Sequence, residues 1–160
     1  MNEKALDLTF RVADQNDLAD LLALYKHLIS TDLPTTLESQ KQTFREMLSH
    51  PGLSVIVGHL GDKLVTSCTL VVIPNLTRGC ASYAVIENVI THTDFRGMGI
   101  GEKIMRQAIQ RAWDAGCYKV MLMSGSQNGK ANTFYQRLGF QKSKIGFETR
   151  RPGYASRPVT

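Results

Sequence analysis

The 160-residue sequence predicts an α/β domain, with a mixed, mostly antiparallel sheet of six to seven strands flanked by about four helices. Three observations carry this. Two β-rich stretches, 53–60 and 63–73, are joined by the two-residue turn Gly61-Asp62, the pattern of a hairpin. Ile100, Ile104, Met105, Ala108, Ile109, Ala112 and Trp113 recur at helical spacing and give one helix an apolar face. Beyond residue 82 strand-like and helix-like stretches alternate, as in a crossover unit.

In order along the chain, Leu8 to Val12 alternates as a short strand, and Asp17 is placed to cap the helix that follows. Leu18, Leu21, Leu22, Tyr25, Leu28 and Ile29 form that helix's inner face. Residues 31–34 break it, and Thr36 or Ser39 starts a second helix with Phe44, Met47 and Leu48 inward. Pro51-Gly52 ends this helix, and the hairpin follows. Pro74 to Cys80 reads as a loop, Ser82 to Thr91 as the next strand. The long helix from Ile100 stops at Gly116, a residue suited to a left-handed cap. Tyr118 to Met123 is a buried-type strand and Ala131 to Leu138 a short helix stopped by Gly139. Phe140 to Thr149 supplies one or two final strands. The whole of 1–160 is one domain, with 151–160 a Pro/Gly-rich tail.

Composition narrows the class. At this length about two-thirds of the unfolded surface can be buried, so the core needs no staples. No apolar run nears the ~18 residues of a membrane span. The N-terminal stretch lacks a signal-peptide core, which leads to the expectation of a cytoplasmic protein with no membrane partner. Cys68, Cys80 and Cys117 are odd in number and widely spaced, the pattern of reduced thiols. His27, His50, His59 and His92 form no metal spacing, and no metal is expected. The net charge of +5 suits a small anionic ligand, a membrane surface or nucleic acid. Basic residues cluster with aromatics only in the tail from Lys142 to Arg157, which reads as a solvated edge, and there is no nucleic-acid signature.

The segment Asp94-Phe95-Arg96-Gly97-Met98-Gly99-Ile100-Gly101 lies between a strand and a helix. A helix start has unpaired N–H groups and a partial positive charge. Glycines let phosphate oxygens approach the backbone, and Arg96 adds a charged fork. The loop of nucleotide triphosphatases requires Lys-Ser or Lys-Thr after its last glycine, where Glu102 stands here. The dinucleotide fingerprint requires a different spacing and an acidic residue where Ser124 stands.

Arg96-Gly97-Met98-Gly99-Ile100-Gly101 resembles the Arg/Gln-x-x-Gly-x-Gly/Ala signature of the GCN5-related N-acetyltransferase (GNAT) superfamily. A second block, Asn128-Gly129-Lys130-Ala131-Asn132-Thr133-Phe134-Tyr135-Gln136-Arg137-Leu138-Gly139-Phe140, is similar to the family's Asn-x-x-Ala-x-x-x-Tyr-x-x-x-Gly-Phe segment. The resemblance covers roughly residues 8 to 150. It implies a single GNAT-type domain that uses acetyl-CoA as acyl donor, a small-molecule primary amine as acceptor, direct attack in a ternary complex, and a homodimer. It implies cofactor contacts from the backbone of Val89, Ile90 and Thr91, from the loop residues Arg96, Gly97, Met98, Gly99, Ile100 and Gly101 with Glu102, from Asn128, and from Tyr135 beside the sulfur. A non-catalytic acyl-CoA sensor or scaffold would use the same loop.

Direct acyl transfer needs a base for the amine, a donor for the oxyanion and an acid for the leaving thiolate. Tyr135 takes the acid role by its place in the matching block; an amphipathic packing role is the other reading. Glu87 lies in a largely apolar strand, where a carboxylate is expensive to bury unless paired or neutralised. Ile86-Glu87-Asn88-Val89 is similar in placement to the Ile-Glu-Asp-Ile segment of glucosamine-6-phosphate N-acetyltransferases. Glu87 is thus a base, acting directly or through water, or else a surface carboxylate or a partner of Arg78. Alternation puts Glu87 and Asn88 on opposite faces. His92, at the strand end, reads as structural. Cys68 and Trp113 read as core. By resemblance the acceptor pocket draws on Tyr25 to Leu33, Asn75 to Tyr83 and Phe147 to Tyr154, with the acceptor's identity open.

Overall fold

The computed structural model describes residues 7–30, 32–125 and 127–154. Among these, five strands form one sheet in the order β1 (Leu8–Val12), β2 (Leu53–Leu60), β3 (Lys63–Ile73), β4 (Tyr83–Thr91), β5 (Val120–Met121). The first four pair antiparallel and β4–β5 is parallel. The helices are α1 (Leu18–Tyr25), α2 (Leu37–Ser49), the single turn α3 (Thr77–Cys80), α4 (Ile100–Asp114) and α5 (Gly129–Arg137). None is long and apolar enough to cross a membrane.

Alternation along the strands divides the core in two. Val55 and Val57 of β2 face α1 and α2, where Leu21, Leu24 and Phe44 cover them. Ile56 faces the other way, onto Ile104, Met105, Ala108 and Ala112 of α4, with Phe134 and Tyr135 of α5 beside them. The result is a three-layer arrangement with the sheet in the middle, held by apolar burial on both faces.

Several expectations need correction. The sheet has five strands rather than six to seven. Residues 140–150 form no strand, and Ile145 and Phe147 are 82% and 92% exposed. A strand needs a free ladder as well as a pattern. The neighbouring β5 is two residues long, not the six of Tyr118 to Met123, and offers almost none. Asp17 does not cap α1 through its side chain. Asp14 caps a short 3-10 turn, Gln15–Asp17, and the two aspartates form a capping box. Asp17 is buried and receives a bidentate bond from Arg11 at 2.6 and 2.7 Å. Burial alone would raise its pKa, but the Arg11 bonds, the Asp14 N–H and the Arg11 charge outweigh it and hold the carboxyl low. Trp113 is 46% exposed, at the margin of the apolar face of α4 rather than in the core. The expected tail beyond Tyr154, and the N-terminal stretch up to residue 6, lie outside the described residues.

Candidate active site

The functional geometry begins at a bulge in β4. Ser67 pairs with Ile90 and Thr69 with Glu87, so two steps on β3 span three on β4. The extra residue is accommodated at Asn88, whose φ is +50°, a left-handed value that asparagine tolerates better than most residues. The bulge reverses the direction of the following backbone groups. The His92 N–H donates to Val65 O on β3, so by alternation those of Ile90 also face β3, while Val89 and Thr91 face the opposite edge. Ile90 O accepts from the Thr66 hydroxyl at 2.8 Å, which agrees. Of the three strand residues expected to offer backbone to a cofactor, Ile90 is thus turned away.

That opposite edge is open. The β4–β5 ladder consists of Ala84 with Val120 and Val85 with Met121, and it stops there. Beyond Val85 the two strands part. The gap is a cavity of about 180 Å³ lined by Leu28, Ile86, Glu87, Asn88, Val89, Leu122, Met123 and Tyr135. The four consecutive residues Ile86, Glu87, Asn88 and Val89 all line it, at the point where the bulge interrupts the alternation of β4. A larger cleft of about 430 Å³, between α1 and the β2–β3 turn, is lined by Asp20, His27, Lys63 and His92 among others. It is not bounded by the parted strands, so we take the smaller cavity as the site.

At the end of β4, a 3-10 turn Thr93–Phe95 leads into the glycine loop. Gly97 and Gly99 have φ of +78° and +75°, and Gly99 is the N-cap of α4 with no side chain capping it. A Cβ at either would meet nothing within 4 Å. The first N–H groups of α4 therefore open outward, uncapped and unobstructed, which is the physical requirement for holding a phosphate. Arg96 also serves the fold: its Nε donates to Thr91 O at 3.0 Å and its Nη2 to His27 O at 3.2 Å, tying the strand end to the end of α1. Its remaining N–H donors are available to an anion. Glu102 is paired with Arg106 one turn on, at 2.7 Å.

Asn128 is the N-cap of α5, and its Oδ1 accepts from the Ala131 N–H at 3.0 Å. Its Nδ2 remains as a donor. Tyr135, on α5, stands edge-on to Phe134 and Phe140. Burial, and next the nearby Glu87 carboxylate, push the phenol's pKa up, so it holds its proton. Glu87 is exposed toward the cavity. Arg78 is not its partner; its guanidinium lies 5.8 Å over the Tyr118 ring. His92 accepts the Asp94 N–H with Nδ1 and stacks 4.1 Å from His27, a structural placement. Burial, then His27 and Lys63, lower its pKa and keep it neutral. Cys68 is fully buried and its thiol is pushed up to about 12, which rules out a nucleophilic role near neutral pH.

Sequence reasoning missed the bulge, the contributions of Leu122 and Met123, and the short ladder, while Leu28 falls in the stretch Tyr25 to Leu33 expected to line the acceptor pocket. An asparagine inside a strand was the one available signal.

Comparison with known proteins identifies the family and the fold. Residues 19–140 match the model of the acetyltransferase (GNAT) family. A glucosamine 6-phosphate N-acetyltransferase from Trypanosoma brucei brucei is 30% identical over 138 residues, spanning 85% of this chain and 90% of the relative. A solved structure from Agrobacterium tumefaciens, named only as a proposed acetyltransferase, superposes with a TM-score of 0.86 at 40% identity, covering 89% of this chain and 99% of that one. A chain from Bacillus halodurans named as a transcriptional regulator superposes at 0.82 with 29% identity, covering 90% and 99%.

Proposed function

This chain belongs to the acetyltransferase (GNAT) family and is an N-acyltransferase, and from that premise we propose that it moves an acetyl group from acetyl-CoA to the primary amine of a small molecule by direct attack in a ternary complex. The observation that carries the reading is the pairing of the parted β4–β5 strands with the uncapped glycine-loop start of α4. A diphosphate fits the N–H groups of the loop, and an extended pantetheine arm fits the gap, where the backbone of Val89 and Thr91 and the Asn128 Nδ2 supply hydrogen bonds.

The thioester then reaches the cavity at Glu87 and Tyr135. Glu87 takes a proton from the acceptor ammonium, directly or through water, and the freed amine attacks the carbonyl carbon. The oxyanion is stabilised by the Val89 N–H. As the C–S bond breaks, the Tyr135 phenol gives its proton to the departing thiolate and regains one from the attacking nitrogen, so that the amide and the phenol both end neutral. No acyl-enzyme is needed, in keeping with the buried, unreactive Cys68.

Glucosamine 6-phosphate is the first acceptor to test, because relatives bearing that name include one 30% identical over most of both chains. Initial rates of CoA thiol release, measured with both substrates varied, should give intersecting lines. Parallel lines, or an acetylated enzyme in the absence of acceptor, would overturn direct attack. A homodimer is part of the proposal. The bare outer edge of β5 and the exposed Ile145 and Phe147 support it, and sedimentation of the full chain tests it.

A further inference from the structure

The mechanism above leaves unused a histidine at the foot of the glycine loop. His92 follows β4 directly, and its N–H donates to Val65 O of β3 at 2.8 Å, so its backbone is pinned to the sheet. The next three residues are the turn Thr93–Phe95, and only Arg96 separates that turn from Gly97. Within the turn the Phe95 N–H donates to His92 O at 3.0 Å and the Arg96 N–H to Thr93 O at 3.3 Å. The Asp94 N–H goes to a side chain instead. It donates to Nδ1 of His92 at 3.3 Å, which makes the imidazole the N-cap of the turn.

Histidine is an uncommon cap; Ser, Thr, Asp and Asn usually fill the role, and their oxygens accept at any pH near neutrality. An imidazole accepts only while neutral, because the imidazolium carries a proton on both nitrogens. The donor here is a backbone N–H, which cannot reverse its role, so Nδ1 must be bare. His27 differs: its Nδ1 meets the Thr93 hydroxyl at 3.2 Å, which donates or accepts as required.

The surroundings oppose a proton on His92. His27, from the end of α1, stacks 4.1 Å away, Phe95 stands edge-on at 5.5 Å, and Lys63 of β3 lies 4.9 Å over the Phe95 ring. Arg96 and Asp94 follow in the loop, and Asp20 and Asp62 share the cleft that the ring lines. The Asp94 carboxylate is 3.8 Å from Nδ1 but 72% exposed, so its pull on a proton is weak. Burial, then His27 and Lys63, prevail and favour the neutral ring.

We infer that His92 is a positioning residue for the acyl donor: its neutral imidazole holds the turn that presents the glycine loop, and a proton on Nδ1 releases that turn and weakens donor binding. The inference rests on the glycine loop being the diphosphate site. Protonation converts the acceptor into a donor, and the Asp94 N–H loses its partner. Binding that needs the capped turn therefore weakens as pH falls below the ordinary imidazole value of about 6.5. An imidazolium that met the phosphates directly would give the reverse, a tightening in acid.

The test uses the full-length chain and two substitutions that split the properties of the side chain. His92→Asn keeps an acceptor at the cap and removes the ring, while His92→Phe keeps a ring and removes the acceptor. Acetyl-CoA Kd is measured by calorimetry at neutral and at acid pH, as a ratio to His92→Asn, so that titration of the ligand's own phosphates cancels. At neutral pH His92→Asn should bind within about twofold of wild type, and His92→Phe roughly threefold to tenfold more weakly, the equivalent of one lost cap. Toward about pH 5 the wild-type-to-Asn ratio should rise at least about threefold, with the Phe-to-Asn ratio flat. At saturating acetyl-CoA kcat should hold, so that the loss falls on KM. A flat wild-type-to-Asn ratio, or a His92→Phe protein that binds like wild type, would overturn the inference. So would a ratio that falls in acid, which marks a direct phosphate contact, or equal loss in both variants at neutral pH, which marks ring packing. Gly99→Ala tests the premise separately. If it binds acetyl-CoA normally, the loop assignment fails; if it binds weakly while His92→Phe binds normally, the loop stands and the cap falls.

Discussion

Replacing Gly99 by alanine separates the conformational and ligand-binding demands on the glycine loop. Gly99 has φ +75°, and a Cβ there would meet no atom of the chain within 4 Å. The fold therefore feels backbone strain without a clash. A left-handed L-residue costs roughly 1–2 kcal/mol, and for a chain of this size about 2–4 °C of Tm is lost per kcal/mol. Tm should fall by about 2–8 °C. The same methyl projects over the uncapped start of α4, where phosphate oxygens must approach. Losing one or two charge-assisted hydrogen bonds, at about 1.5–3 kcal/mol each, raises the acetyl-CoA Kd by at least about tenfold. Gly61→Ala is the control. It has φ +58°, equally open surroundings and a position in the β2–β3 turn away from the loop. It should lose comparable Tm and keep its Kd. Scanning fluorimetry and titration calorimetry on both proteins decide the matter. A Gly99→Ala protein that is destabilised like Gly61→Ala but binds acetyl-CoA within twofold of the parent would refute the loop assignment.

Three further outcomes follow from the same structure. Tyr135→Phe should keep acetyl-CoA affinity and lose kcat by about tenfold to hundredfold, since the phenol acts only as the thiolate leaves; unchanged kcat would remove it as the acid. Asp17 titrates below its unfolded value, so its stabilisation is present above the ordinary carboxylate range and is lost as pH falls through the folded pKa. Asp17→Asn should flatten the acid limb of stability between about pH 4 and lower, measured by urea midpoints, and an unaltered limb would contradict the Arg11–Asp17 account. Of the three thiols only Cys80 is exposed, while burial raises the pKa of Cys68 and Cys117. A thiol reagent at pH 8 should modify one cysteine rapidly in the folded chain, and mass spectrometry should place the label on Cys80.

Much of the architecture was legible because it depends on local chemistry. The apolar period from Ile100 to Ala112 specified α4 and its buried face, and Gly61-Asp62 specified the hairpin turn. The glycine loop and its uncapped helix start could also be read directly, since glycine's access to positive φ and the unpaired N–H groups of a helix start belong to the chain itself. Trp113 shows the limit of such reading. It belongs to the same helical pattern, but it sits at the margin of that face and is 46% exposed.

What could not be read depends on partners distant in the chain. Whether 140–150 forms a strand is settled by the free ladder on β5, which is too short to pair with it. The bulge at Asn88 arises from matching β4 to β3, and it alone turns the backbone of Val89 and Thr91 to the open edge, where Ile86, Glu87, Asn88 and Val89 line one cavity. Helix periods, turns and caps are decided over a few residues by short-range sterics and hydrogen bonding. Strand register, bulges and side-chain convergence are decided by pairing between segments tens of residues apart, and the chemistry of this site is built from that second kind.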